Sequence, residues 1–398
     1  VKESLRSQVP PFYVMEVMKA AARREVAGGD VLHLEVGQPM TPAPSRVREA
    51  ARRGLAVDRL GYTAATGLVA LRARVGRFYG ERYGLDVSHE RVVMTIGASA
   101  GFVLSCLALF DPGDRVAMTV PGYSAYRNVL TALGLELVEV RVDAETRFVP
   151  AVDRLEAAGP LDGLVVASPS NPTGVTLTAE EMKEVAGFCS TTGTVLISDE
   201  IYHGIDYGER AATALEFSES AVVVQSFSKY FSMTGWRLGW LVVPPEMFRP
   251  LERLAQNLFI APPTVSQLGA LEAFDCTDEL DANVAAYARS REILVAGLAE
   301  AGITRIAPPD GGFYVYADVS HLGMVSPALC TRWLEEIGVA ATPGIDFDPE
   351  QGDRWVRFSY SESTADIVEA VSRLKGWAHN TERRDSDKLQ STEGLRKE

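Results

Sequence analysis

The sequence predicts an α/β protein: a large domain with a mostly parallel sheet flanked by helices, and a smaller α+β domain. Three observations predict this. Five short apolar runs, each followed by a turn of small or polar residues, alternate with helix-period segments across the first two thirds of the chain. The runs read as unbroken Val, Ile and Leu, the pattern of strands buried on both faces of a parallel sheet. Near Asp281 the rhythm changes to one long helix, then strand, helix and strand, which is an α+β layout.

Taken in order, "VPPFYVMEVMKAAARREVAGGD" reads as an extended arm entering an amphipathic helix that stops at Gly28-Gly29. "RVVMTIG" precedes the helix "ASAGFVLSCLALF", and "DRVAMTV" precedes "PGYSAYRNVLTALG". "LDGLVVAS" leads through the turn "PSNPTG" to the helix "TAEEMKEVAGFCST". "TVLIS" runs into "DEIYHG", and "AVVVQ" into "SFSKYF". Beyond them lie the helix "LDANVAAYARSREILVAGLAEAG" and the strands "GGFYVYADV" and "WVRFSYS". The expected organisation is an N-terminal arm with part of the small domain over 1–45, the large domain over 46–280 and the small C-terminal domain over 281–378. The tail 379–398 is charged and nearly free of large apolar residues, a composition that predicts disorder.

A chain of 398 residues can bury two cores. Its net charge of −14 argues against nucleic acid or an anionic membrane surface as partner, since both would repel it. The longest apolar stretch, "FVLSCLALF", is too short to span a bilayer. No basic-then-apolar leader opens the sequence, so the cytoplasm is the expected location. Cys106, Cys189, Cys276 and Cys330 lie far apart without CxxC spacing and are expected as buried free thiols. The five histidines are scattered, and no metal site is expected.

In open parallel sheets ligands bind beyond the carboxyl ends of the strands. There the sequence places Gly97-Ala98-Ser99 at the start of a helix, whose free N–H groups and positive dipole end suit a phosphate. Tyr123, an aromatic plate, follows the second run, and Asn171 follows the third. Asp199 closes the fourth, with Tyr202 three residues on. Ser226, Ser228 and Lys229 follow the fifth, with Arg237 beyond. Lysine is scarce, seven against thirty-two arginines, and Lys229 is the only one between Lys183 and Lys375. A lone lysine after a strand is ordinarily a surface charge, and "SDE" alone would cap a helix. The ordered occurrence of all these groups at successive strand ends is what chance does not supply.

"SFSKYFSMTGWRLGW", "SPSNPTG" and "SDEIYH" resemble the signature segments of the class I/II pyridoxal-phosphate-dependent aminotransferases, the fold type I family; "GYTAATGLVALR" and "WVRFSY" also match in kind. The resemblance runs in order from about Val9 to Leu374 and is specific because the motifs occur together. It implies pyridoxal phosphate as cofactor and Lys229 as the amine that takes up its aldehyde and then acts as general base and acid. It implies Asp199 facing the pyridine nitrogen, Tyr202 and Asn171 at the ring hydroxyl, and Tyr123 stacked on the ring. Arg237, Ser226, Ser228 and the amides of Ala98 and Ser99 would hold the phosphate. The resemblance further assigns Arg357 and the Gly37 segment to the substrate carboxylate. Tyr62 would reach the phosphate in a neighbouring subunit, which implies a homodimer.

The implied reaction is a ping-pong exchange of an amino group between an amino acid and a 2-oxo acid. The loop "GQPMTPAPSRV" departs from the family's usual acidic version, with Gln38 and Met40 making it more neutral. "ATPGIDFDPEQGD" also departs after Pro343-Gly344. No second arginine stands out for a distal carboxylate, so the expected donor is neutral or aromatic. The alternative is a cofactor-dependent elimination, cyclisation or carbon–carbon bond-forming enzyme on the same fold. A DNA-reading regulator lacks a helix-turn-helix segment, and a nicotinamide-dependent dehydrogenase lacks its GxGxxG after a first strand.

Overall fold

The Val/Ile/Leu runs pair with one another as their composition predicts. The computed structural model describes residues 2–57 and 59–394, with side chains through residue 379. Its central sheet contains β1 (Val92–Thr95), β2 (Arg115–Val120), β3 (Glu136–Arg141), β4 (Gly163–Ala167), β5 (Val195–Asp199), β6 (Val222–Ser226) and β7 (Gly239–Val242). The spatial order is β1-β7-β6-β5-β4-β2-β3. β7 is antiparallel to both its neighbours, β1 and β6, and every other pair is parallel. Six strands therefore point the same way, and the carboxyl ends of those six share an edge with the start of β7.

Two of these strands have no counterpart in the sequence reading. β3, "ELVEVR", mixes charged and apolar residues and is fully buried only at Val140, as suits an edge strand. β7 follows directly on the Arg237 motif and was hidden by it. At the centre, β6 is buried at every position. Val116, Met118, Val165, Ile197, Val222 and Val224 pack with Phe102, Leu104 and Cys106 from the helix Gly97–Leu109. Each such side chain stabilises the fold by about 1.5–3 kcal/mol. The helix Ala179–Thr192 starts on a capping box in which Thr178 and Glu181 satisfy each other's backbone N–H groups.

The chain divides into two compact units. The larger takes the residues up to Pro11, Gln38–Ala285 and Pro308–Gly312. The smaller takes Phe12–Gly37, Ala286–Ala307 and the chain from Phe313 onward. This division departs from the expected 1–45, 46–280 and 281–378: the first residues and 38–45 go with the larger unit, and the later boundary falls inside the helix Thr277–Glu300. The smaller unit has an antiparallel sheet ordered Thr342–Pro343, Trp355–Ser359, Tyr314–Asp318, and a parallel pair of Leu32–His33 with Val339–Ala340.

The last helix, Thr364–Gly394, carries on through most of the stretch expected to be disordered. Its Glu, Arg, Lys, Gln and Leu residues are good helix formers, so a helix nucleated upstream propagates at little cost. Residues 395–398 lie outside the described residues. All four cysteines are buried free thiols. Among the described residues no helix is long and apolar enough to cross a membrane.

Candidate active site

In the larger unit the groups expected at the strand ends gather along one sheet edge. Asp199 ends β5 and is 5% exposed. Its Oδ1 accepts the Ile201 N–H at 3.1 Å, and its Oδ2 accepts the hydroxyl of Tyr126. Burial pushes the Asp199 carboxyl up to about 6, against those two hydrogen bonds and the positive charge of Lys229, which pull it down. The Lys229 amine stands 5.6 Å from the centre of the Tyr202 ring, and Tyr202 is itself buried. One amine, one carboxylate and one phenol thus occupy neighbouring positions.

The residues expected to hold a phosphate gather where β6, β7 and the helix Gly97–Leu109 meet. A Cβ on Gly239 would lie 2.6 Å from the Gln225 carbonyl and 3.0 Å from the Ala98 nitrogen, so glycine is required for β7 to start this close to the helix. Gly97 has φ +73°, and a Cβ there would lie 2.6 Å from Arg237 Nη2. The guanidinium therefore stands at the helix start beside its free N–H groups. Arg237 is itself in the left-handed region, φ 52°, and donates from Nη1 to the Thr234 carbonyl at 2.9 Å. The buried Ser226 Oγ donates to Ser228 Oγ at 2.9 Å and accepts the Ser228 N–H at 3.0 Å. Thr234 Oγ1 braces the loop by donating to the Ser228 carbonyl at 2.9 Å. Ser99 is exposed on the first turn of the helix.

Tyr123 is half-buried and meets the Tyr126 ring edge-on, with centroids 5.3 Å apart. Asn171 is buried in the turn after β4, closed by Gly174 N–H to the Ser170 carbonyl at 2.8 Å. β4 lies in register with β5, Ala167 opposite Asp199, and the Ser168 N–H bonds the Asp199 carbonyl at 3.0 Å. That places the Asn171 turn beside the Asp199 strand end. Tyr62 is 85% exposed.

Gly37 and Arg357 belong to the smaller unit and come together there around Tyr314. A Cβ on Gly37 would overlap the Tyr314 hydroxyl, at 1.7 Å, and the Arg357 guanidinium carbon lies 4.4 Å from the Tyr314 ring centre. Arg357 is 2% exposed and also donates to the Glu35 carbonyl and to Thr342 Oγ1.

Three residues absent from the sequence reading emerge. Tyr126 is the first, through its bond to Asp199; the only signal was a second tyrosine three residues after Tyr123. Glu200 is wholly buried, and burial pushes its carboxyl up to about 8 against the Ala214 N–H and the hydroxyls of Thr213 and Ser198. Tyr83 bonds His203 Nδ1 at 2.7 Å, and burial, with the charges of Arg82 and Arg210, drives His203 down to about 3. Burial thus favours the neutral form of His203.

Residues 29–374 match the family model described as "Aminotransferase class I and II". The valine–pyruvate aminotransferase of Mycobacterium tuberculosis is 48% identical, over 94% of this chain and 98% of its own. A crystal structure of an aminotransferase from the same organism superposes with a TM-score of 0.94 at 47% identity, covering 96% of this chain and 100% of that one. The aspartate aminotransferase of Thermus thermophilus, solved with maleate, gives 0.90 at 30% identity over 94% and 99%. The chain therefore belongs to the class I and II aminotransferases, a family of fold type I enzymes that work with pyridoxal phosphate.

Proposed function

We propose that the enzyme moves the amino group of a neutral amino acid to a 2-oxo acid in two half-reactions, with Lys229 as the proton carrier. The observation that carries this reading is the convergence of Asp199, Lys229 and the Arg237–helix cradle on one sheet edge. The residues fit the cofactor. Gly97 keeps the space between the helix start and Arg237 clear, and a buried carboxylate such as Asp199 calls for a cationic partner such as a protonated pyridine nitrogen.

When bound, pyridoxal phosphate supplies a sink for the electron pair left as the substrate α-carbon loses its proton. Asp199 holds the pyridine nitrogen in its protonated form. Arg237, Ser226, Ser228 and the N–H groups of Ala98 and Ser99 would hold the phosphate, Tyr123 would cover the ring, and Asn171 and Tyr202 would orient the ring hydroxyl. Lys229 would tether the cofactor through its amine and, when that amine is free, would serve as the general base and then the general acid that carries the substrate α-proton. Arg357 grips the substrate carboxylate by a bidentate fork, with the Gly37 segment against it.

A neutral donor is favoured by the uncharged Gln38 and Met40 and by the similarity to a valine–pyruvate enzyme. We assign the working form to a homodimer in which Tyr62 reaches the neighbouring phosphate. Tyr62, Leu55, Val57, Val69, Leu258 and Ile260 leave apolar surface of a single chain exposed, which supports that assembly. The buried free thiols suit the reducing cytoplasm. The deciding experiment mixes the cofactor-loaded enzyme with valine, aromatic amino acids or aspartate, without any acceptor. Valine or another neutral amino acid should convert the bound aldehyde to its amine form in a single turnover. Conversion by none of the panel defeats the reading, and conversion by aspartate alone defeats the donor assignment.

A further inference from the structure

We infer that His33 and Glu35 form a positioning pair for Arg357, so that binding of the substrate carboxylate depends on a proton held by His33. The inference rests on the assignment of Arg357 to that carboxylate.

Residues 32–37 are stitched into the smaller unit from both sides. Leu32 N–H bonds the Gly338 carbonyl at 2.8 Å, Leu34 N–H bonds the Ala340 carbonyl at 2.9 Å, and the Leu34 carbonyl accepts the Ser359 N–H at 2.7 Å. The next carbonyl, that of Glu35, accepts both Arg357 Nη2 and, at 2.9 Å, Thr342 Oγ1. Two residues later Gly37 abuts the Tyr314 hydroxyl, and the Tyr314 ring carries the Arg357 guanidinium. Two of the contacts that seat Arg357, the Glu35 carbonyl and the Tyr314 ring, therefore meet this one segment.

The anchor of the segment is ionic. Glu35 has a side chain that is 0% exposed, and its Oε2 has no hydrogen-bond partner among the described residues. Its Oε1 lies 2.8 Å from His33 Nδ1. A carboxylate buried this far is costly unless a cation stands beside it. The hydrogen bond with Glu35 raises His33 to about 9 against its partial burial, helped by Glu25, whose Oε1 is 3.3 Å from Nε2. Facing the pair from before the last helix is Glu362, pushed up to about 7 by burial and by repulsion from Asp366 and Glu35 while His33 draws it down. On that helix the charge of Arg373 is taken up by Asp30 and Glu369.

The sign follows. His33 is raised in the folded protein above its ordinary value, so its contribution is complete below about pH 6.5 and is lost as pH climbs through about 9. Once the proton leaves, Glu35 is buried without a counter-charge, and the segment that seats Arg357 must relax.

The test uses the full-length cofactor-loaded enzyme with valine held in excess as amino donor and pyruvate, which has no amine of its own to titrate, as the varied acceptor. KM and kcat are measured from about pH 7 to about pH 10 for the parent, His33→Gln, Glu35→Gln and Arg357→Lys, with thermal unfolding to verify folding. In the parent, KM should rise by about tenfold across the range while kcat changes less. His33→Gln should show the raised KM already at neutral pH and a flat profile. Glu35→Gln, which needs no cation, should keep a low KM at alkaline pH. If Arg357→Lys raises KM while His33→Gln and Glu35→Gln both retain the parental profile, the positioning inference is overturned and the Arg357 assignment stands. If Arg357→Lys leaves KM unchanged, the assignment fails and the inference falls with it.

Discussion

Tyr126 donates its phenolic hydrogen to Asp199, joining the helix Ser124–Leu133 to the end of β5 through two buried groups. The bond stabilises the ionised carboxylate, the form that can pair with a cationic ring nitrogen. Replacing Tyr126 by Phe removes the donor and leaves burial less opposed, so Asp199 should titrate higher. The acid limb of kcat/KM should move up by about one pH unit, and cofactor affinity should fall by about tenfold. An unchanged acid limb would show that the bond does not set the state of Asp199.

Gly97→Ala tests the cradle. Its Cβ would press on the Arg237 guanidinium and occupy a left-handed backbone conformation. Affinity for pyridoxal phosphate should drop by about tenfold, while affinity for pyridoxal, which carries no phosphate, should stay within about twofold. Equal losses for the two compounds would place the damage elsewhere.

Removing the amine at Lys229 should separate binding from chemistry. Lys229→Ala should still take up the cofactor through Arg237 and the helix start, without the covalent link. Turnover should fall by at least about a hundredfold from the lost acid–base function alone. Because the Lys229 charge also lowers Asp199, the same variant should titrate that carboxylate higher. Retention of parental turnover in this variant would end the catalytic assignment.

Asp199 and Glu200 make opposite demands on stability and function. Both are raised in the folded chain, to about 6 and about 8, so the folded state holds protons that the unfolded chain has already lost. Stability of the cofactor-free protein should therefore fall as pH rises from about 4 to about 8. Asp199→Asn and Glu200→Gln should each flatten that decline, raising the unfolding midpoint at pH 8 and leaving it nearly unchanged at pH 4, while Asp199→Asn destroys activity. Parallel melting curves for parent and variants across this range would contradict the burial argument.

The parts of this fold legible in the sequence were those written in local pattern. β1, β2, β4, β5 and β6 announce themselves as apolar runs, and the groups at their ends follow within a few residues. What stayed hidden depends on distant pairings. Tyr126 and Asp199 are 73 positions apart, and nothing around "YSAYRN" says which carboxylate its phenol will meet. Glu35 reads as an ordinary polar position in "LHLEVG"; its carbonyl is met by Arg357 and Thr342, which arrive from more than 300 residues away. In the tail the helix Thr364–Gly394 runs on without a core of its own: composition measures the lack of a core, but a helix needs none once a packed turn has started it.

The reversed course of β7 has a practical consequence. Ser226 and Gly239 face each other across the β6–β7 ladder, so the chain between them forms a closed loop whose two ends cannot slide independently. That loop carries Lys229 near one end and Arg237 near the other, the residues proposed to hold the aldehyde and the phosphate. Grafting, lengthening or trimming it would disturb both tools together, whereas the turns after β2 and β4 can be redesigned one at a time. An engineer seeking new substrates should leave this hairpin whole and vary its neighbours.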